Sequence, residues 1–196
     1  PLDKAAAADE RHAKFADERS DFLAYIKLWK ASGQDAASSF SRRQCRENFL
    51  SYARLREWRD IHAQLRQSVE ELEWRMSSAN VEKPEGVRAV HRALLCGLLG
   101  NIGMRDEQDN NYTGARSIKF WVHPGSGTKK PGKWVMAAEL VETTRLFARN
   151  VASVDSRWIE ELGAHLLKRH RERPHWEKAR AQVVAAERGT LYGLPV

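Results

Sequence analysis

The residues Gly127-Thr128-Lys129-Lys130-Pro131-Gly132-Lys133 match the first seven positions of the phosphate-binding pattern G-x-x-x-x-G-K-[ST]. Such a loop cradles phosphates with backbone N–H groups, needs a hydroxyl at the next position for magnesium, and opens directly into a helix. Trp134 stands where the hydroxyl is required and a strand-like run follows it, so the reading is a flexible basic hairpin loop. His165, His170 and His175 lie five residues apart, and His123 precedes Pro124. Five-residue spacing spreads side chains around a helix, and no H-E-x-x-H motif or cysteine partner supports a metal centre. Ser126 sits in Pro-Gly-Ser-Gly, which lacks the G-x-S-x-G order of a nucleophile elbow. Glu139 and Glu142 have no further groups with which to assemble an acid–base site. No catalytic residue, metal site or cofactor site is therefore expected in these residues.

A different chemistry suits the stretch from Arg116 to Arg149. It carries seven basic residues (Arg116, Lys119, Lys129, Lys130, Lys133, Arg145 and Arg149) against two acidic ones, Glu139 and Glu142. The net charge is +7 over 196 residues, and residues 1–77 contribute only one unit of it, with 14 basic and 13 acidic side chains. Tyr112, Trp121, Trp134 and Phe147 are interleaved with these cations. Charges for phosphates beside rings for base stacking are what a single-strand-binding surface requires. The alternative, aromatic residues in a core and cations that merely solubilise, stays open on these residues alone. Lys129, Lys130 and Lys133 are the first candidates, followed by Arg116, Lys119, Arg145, Arg149 and Ser126.

These residues need elements to hold them. Ser20 or Asp21 makes an N-cap for FLAYIKLWKA, in which Phe22, Tyr25, Ile26 and Trp29 recur at helical spacing, and Gly33 ends that helix. Ser41 to about Arg75 reads as one long helix, or as two broken near Arg56, with Trp58, Ile61, Leu65, Val69 and Leu72 on its apolar side and a solvated charged face opposite. The polar run SSANVEKPEG (77–86) reads as a linker. A helix from Val87 to about Ile102 follows, then NNYTGAR, SIKFWVH, KWVMAAELVET and RLFARNVASV as short strands. Four or five antiparallel strands with a basic loop predict a small barrel. Asp155 or Ser156 caps a helix running to about His170, HWEKARAQVVAAER begins another helix, and TLYGLPV ends the chain as a strand-like tail. The fold class is α+β, divided into a helical module (1–80), a barrel with flanking helices (81–171) and a helix and strand (172–196) leading into a further domain. Cys45 and Cys96 form no pair motif, which points to a reducing, cytoplasmic setting. No apolar run is long enough to span a bilayer. The start at Pro1 without methionine suggests an excised segment.

The order of pieces resembles the DEAH-box ATP-dependent RNA helicases. CRENFLSYARLREWRDIHAQLR (45–66) is similar to that family's helicase-associated helical region. ALLCGLLGNIG, the His-Pro-Gly-Ser loop and KWVMAAELVETTRLFARNVASVDSRWIEEL resemble the helix, loop and strands of its oligonucleotide-binding (OB) fold. The terminal HWEKARAQ to YGLPV is similar to the bacterial HrpA subgroup. The resemblance, which covers about residues 21–170, implies motor domains upstream that bind ATP and magnesium, with this segment closing over single-stranded RNA. It also implies a rival reading, a module that receives a protein activator on Trp121 or Trp134. No complete phosphate loop and no Asp-Glu-Ala-His box occurs here, so ATP hydrolysis is not expected of this chain. Its loop reads Pro-Gly-Ser-Gly where many relatives carry Pro-Ser-Ser.

Overall fold

The computed structural model describes residues 4–33, 40–77, 80–171, 174–177, 181–184 and 187–196. The first of the elements, α1 (Ala5–Ala13), is mostly Ala and charge and buries none of its residues. Helix α2 (Asp21–Ala31) starts where its cap predicts, with the Ser20 Oγ accepting the Leu23 N–H at 3.3 Å. Two helices, not one, fill the next stretch: α3 (Arg42–Glu47) and α4 (Tyr52–Glu71). The break falls at residues 48–51 and not near Arg56. Phe49 takes a left-handed φ of 54°, and the Ser51 side chain caps the new helix by accepting the Arg54 N–H. These local bonds satisfy the backbone groups that an interruption exposes.

Among the described residues, the ring-to-ring contacts of helix α4 come from Trp58 and His62 near its middle. Trp58 meets Tyr25 and Trp29 edge-on, and His62 lies 4.7 Å from Trp29. Ile61, Leu65 and Leu72, expected on an inner face, are exposed.

Helix α5 (Pro84–Leu98) begins with Pro at its first turn, where a missing N–H does no harm. It stops earlier than the expected Ile102. A 3-10 turn (99–101) leads into a strand that the periodicity did not reveal, β1 (Ile102–Arg105). The others of the barrel are β2 (Tyr112–Gly114), β3 (Lys119–Val122), β4 (Trp134–Glu142) and β5 (Leu146–Val154). They close in the order β1-β2-β3-β5-β4, with β3 and β5 parallel and the other pairings antiparallel.

Gly103 and Gly114 face each other across β1 and β2. A Cβ on Gly103 would stand 2.3 Å from the Phe120 ring, so the glycine leaves space inside the barrel. Tyr112, Phe120, Val135, Ala137, Ala148 and Val151 fill that interior. A second core lies outside the barrel wall, where Ile102, Trp134, Met136 and Ala152 meet Leu95, Leu99, Ile159, Leu191 and Leu194. Strand β4 is buried on both faces from Trp134 to Ala137, which explains its unbroken apolar run.

Helix α6 (Ser156–Leu162) is capped by Asp155, one of the two residues expected there, but ends at Gly163 and not near His170. The elements described after it are all strands: β6 (Lys168–Arg171), β7 (His175–Glu177), β8 (Gln182–Val184), β9 (Glu187–Leu191) and β10 (Leu194–Pro195). Strand β6 pairs with β9, β9 with β10, and β7 with β8. The helix expected from His175 is thus replaced by strands. Ala, Lys, Arg and Glu favour a helix locally, but Leu191 and Leu194 are locked into the outer core, and β9, held there, offers β6 an edge to pair with.

Candidate nucleic-acid interface

The basic loop joins β3 to β4, and both of its ends are pinned. At the first end one carboxylate, Asp21 at the start of α2, gathers four groups. It accepts from the Ser126 Oγ at 2.6 Å, the Gly127 N–H at 2.8 Å and the Thr128 Oγ1 at 3.3 Å, and from the Val151 N–H of β5 at 2.9 Å. At the second end the Gly132 N–H donates to the Ser153 Oγ, and the Tyr112 hydroxyl donates to the Gly132 carbonyl, each at 2.9 Å. Between these anchors Lys129 and Lys130 are exposed, as is Lys133, and none of the three makes an ion pair among the described residues. The loop runs straight into β4, so the partial phosphate-loop match has no helix to complete it. Ser126, a candidate contact, spends its hydroxyl on Asp21 and accepts the Thr128 N–H, which makes it an anchor of the loop.

The remaining candidates divide between two places. Trp121 of β3 and Phe147 of β5 are register neighbours on the barrel's outer surface. The Arg145 guanidinium lies over the Trp121 ring at 5.0 Å, and His123 meets Phe147 edge-on at 5.6 Å. His123 is also the residue at which the basic loop begins, so strip and loop are joined along the chain. Arg149 stands exposed opposite Glu139. Lys119 is drawn instead to Asp106 and Asp109 in the loop between β1 and β2, 3.5 Å from each. The Asp106 carboxyl is held below its usual range by the Gln108 N–H first, and also by Lys119. That edge of the barrel is acidic and would repel a polyanion. Arg116 has a left-handed φ of 57° and bonds the Tyr192 carbonyl through its N–H, facing the chain end.

Two aromatic candidates belong to the core. Tyr112 is 3% exposed and stacks on Phe120 inside the barrel, and Trp134 is 6% exposed in the outer core. Trp134 is therefore no anchor for a partner. Alternation along SIKFWV puts Trp121 and Phe120 on opposite faces; no comparable signal marks Trp134, whose strand is covered on both sides.

Residue reasoning also missed a buried pair. The Ser20 Oγ lies 2.7 Å from the His91 Nε2, with His91 on α5, 71 positions away. Burial pushes the His91 pKa down, opposed by Asp17 and by a bond to the Val87 backbone. Ser20 is fully buried and already caps α2, so the pair is a structural clamp and not a nucleophile with its base. Among the described residues no three His, Cys, Asp or Glu side chains gather as a metal site would need.

A five-stranded closed barrel of this strand order, with a solvent-facing cation and ring surface, defines an OB fold. Residues 90–166 match the family described as Oligonucleotide/oligosaccharide-binding (OB)-fold, and this part of the chain belongs to it. Over its full length the chain is 49% identical across 200 aligned residues to the ATP-dependent RNA helicase HrpA of Escherichia coli strain K12. It is 44% identical to the HrpA homolog of Haemophilus influenzae. The chain is thus similar, from end to end, to one segment of these bacterial HrpA helicases. It spans 15% of the length of each. Among solved structures, the E. coli DExH-box NTPase HrpB matches 97% of this chain and 20% of its own, at 16% identity and a TM-score of 0.49.

Proposed function

We propose that this chain is the RNA-gripping accessory part of an ATP-dependent RNA helicase acting in the cytoplasm. Single-stranded RNA lies along the basic loop and the Trp121–Phe147 strip, while the helical elements before residue 80 couple the barrel to motor domains that hold ATP and magnesium elsewhere in the longer protein. The observation that carries the reading is the state of Lys129, Lys130 and Lys133: exposed, without ion pairs among the described residues, on a loop pinned at both ends. Cations fixed in place neutralise phosphates without a large ordering penalty. Rings in contact with an arginine give bases of any identity a stacking surface. Arg145 and Arg149 extend the positive edge beyond the loop, whereas Lys119, matched by Asp106 and Asp109, adds little.

Fluorescence anisotropy with a short single-stranded RNA checks this. Binding should be weak and should fall as salt rises. Replacing the three lysines by alanine should flatten the slope of log affinity against log salt by about 2, from roughly 0.7 per phosphate contact on single strands. No binding at low salt, or an unchanged slope, refutes the reading. A second reading, docking of a protein activator on the same strip, is favoured by the surface position of Trp121. It predicts a pull-down that resists nuclease and is lost in Trp121→Ala.

A further inference from the structure

Strands β6, β7, β8 and β9 make up an arm that is not part of the five-stranded barrel. Its inner part is β6 paired with β9, and its outer part is β7 paired with β8. Strand β6 reads Lys168-Arg169-His170-Arg171, and all four side chains are exposed. Because neighbours on a strand point to opposite faces, Lys168 and His170 share one face and Arg169 and Arg171 the other. On the arginine face a single carboxylate among the described residues, Glu187, lies 3.8 Å from each guanidinium, so the two arginines share it. On the other face, Lys168 and His170 stand opposite Thr190 and Arg188 and have no carboxylate partner among the described residues. Farther out, Trp176 and Val183 are cross-strand partners, 58% and 64% exposed. No aromatic or cationic side chain of the described residues packs on the Trp176 ring.

Cations on an edge strand have an ordinary purpose, which is to deter pairing with another chain's edge. That purpose explains lysines and arginines on β6 but not an uncovered tryptophan on the ribbon beyond it. A two-stranded ribbon is marginal alone and gains nothing from wetting its largest apolar side chain. Backbone-neutralising cations together with a free indole face fit one kind of partner, a flexible polyanion with stackable bases. The arm is also anchored where such a contact could transmit load. Leu191 and Leu194 are sealed into the outer core of the barrel, and the Arg116 N–H bonds the Tyr192 carbonyl.

We propose that this arm is a second single-stranded RNA contact, in which Trp176 stacks on a base and the β6 cations flank the adjoining phosphates. The proposal rests on the RNA-binding reading above and assigns that function to residues outside the OB barrel.

The test uses the whole chain and a single-stranded RNA of about 20 nucleotides, longer than the range bound by one OB fold. Trp176→Ala should weaken binding roughly tenfold, the loss expected for one stacked base. Trp176→Phe, which keeps a ring, should recover most of it. Replacing Lys168 and His170 together by alanine should lower affinity and flatten the salt slope by about 1. All of these side chains are exposed, so circular dichroism should show an unchanged fold. With 4-thiouridine RNA, photocrosslinks should map to the strand containing Trp176 as well as to the lysine loop. If wild type binds and the lysine-loop variant is impaired, but Trp176→Ala stays within about twofold of wild type, the arm proposal is overturned and the barrel reading survives. If wild type binds no RNA at low salt, both fall.

Discussion

Asp21 decides where the lysines stand. Its carboxylate accepts from two hydroxyls and two backbone N–H groups, drawn from the basic loop and from β5, and it is almost wholly buried. Asp21→Ala would leave the Ser126 hydroxyl and the Gly127 and Val151 N–H groups without this acceptor, while the Thr128 hydroxyl keeps the Val151 carbonyl at 3.2 Å, and each unsatisfied buried group costs about 1–3 kcal/mol. Partial rescue by water should bring the net loss to roughly 2–4 kcal/mol, read from urea denaturation. RNA affinity should fall as well, because the loop would lose one of its anchors. An Asp21→Ala protein of wild-type stability would show that the carboxylate is dispensable to the loop. As a residue type Asp21 advertised only helix capping; its reach of more than 100 positions to Ser126 and Gly127 is a property of the folded chain.

Among the elements, α4 separates legible pattern from realised packing. Its apolar positions recur at helical spacing, and the helix forms, yet among the described residues its ring-to-ring contacts come from Trp58 and His62. Leu65 is 63% exposed, so Leu65→Ser should change stability by no more than about 0.5 kcal/mol. Thermal denaturation that showed a loss of several kcal/mol would mean that Leu65 is covered. The arm from β6 to β9 errs in the opposite sense: helix-forming residues were folded as strands. In both, local preference is worth tenths of a kcal/mol per residue, and contacts with distant partners outweigh it.

At the scale of the whole molecule, Ser20 and His91 tie three parts together. Ser20 caps α2, bridges to Ala152 of β5 and bonds His91 of α5. Burial keeps His91 neutral by holding its pKa below the ordinary 6.5, so the unfolded chain binds the proton more readily. The stability associated with His91 should therefore be complete above pH 6.5 and should decline as pH falls through 6.5 toward the depressed folded value. His91→Gln should flatten that part of the stability profile, measured by denaturant titration from pH 7.5 to about 5. An equal slope in both proteins would mean that another group titrates.

Much of this protein was readable from its residues. Caps near Ser20 and Asp155, the strand pattern of SIKFWV, the apolar run of β4 and the crowding of positive charge between Arg116 and Arg149 all depend on neighbours in the chain, and they pointed to an α+β segment with a small barrel, which the family resemblance made an OB fold. What required the tertiary structure was which side chains remain available. Trp134 is sealed by α5 and the C-terminal strands, Ser126 is held by Asp21, Lys119 is matched by Asp106 and Asp109, and β6 became a strand because β9 lay beside it. Exposure and pairing are set by groups far apart in sequence, and the short-range periodicity of a single chain carries no record of them.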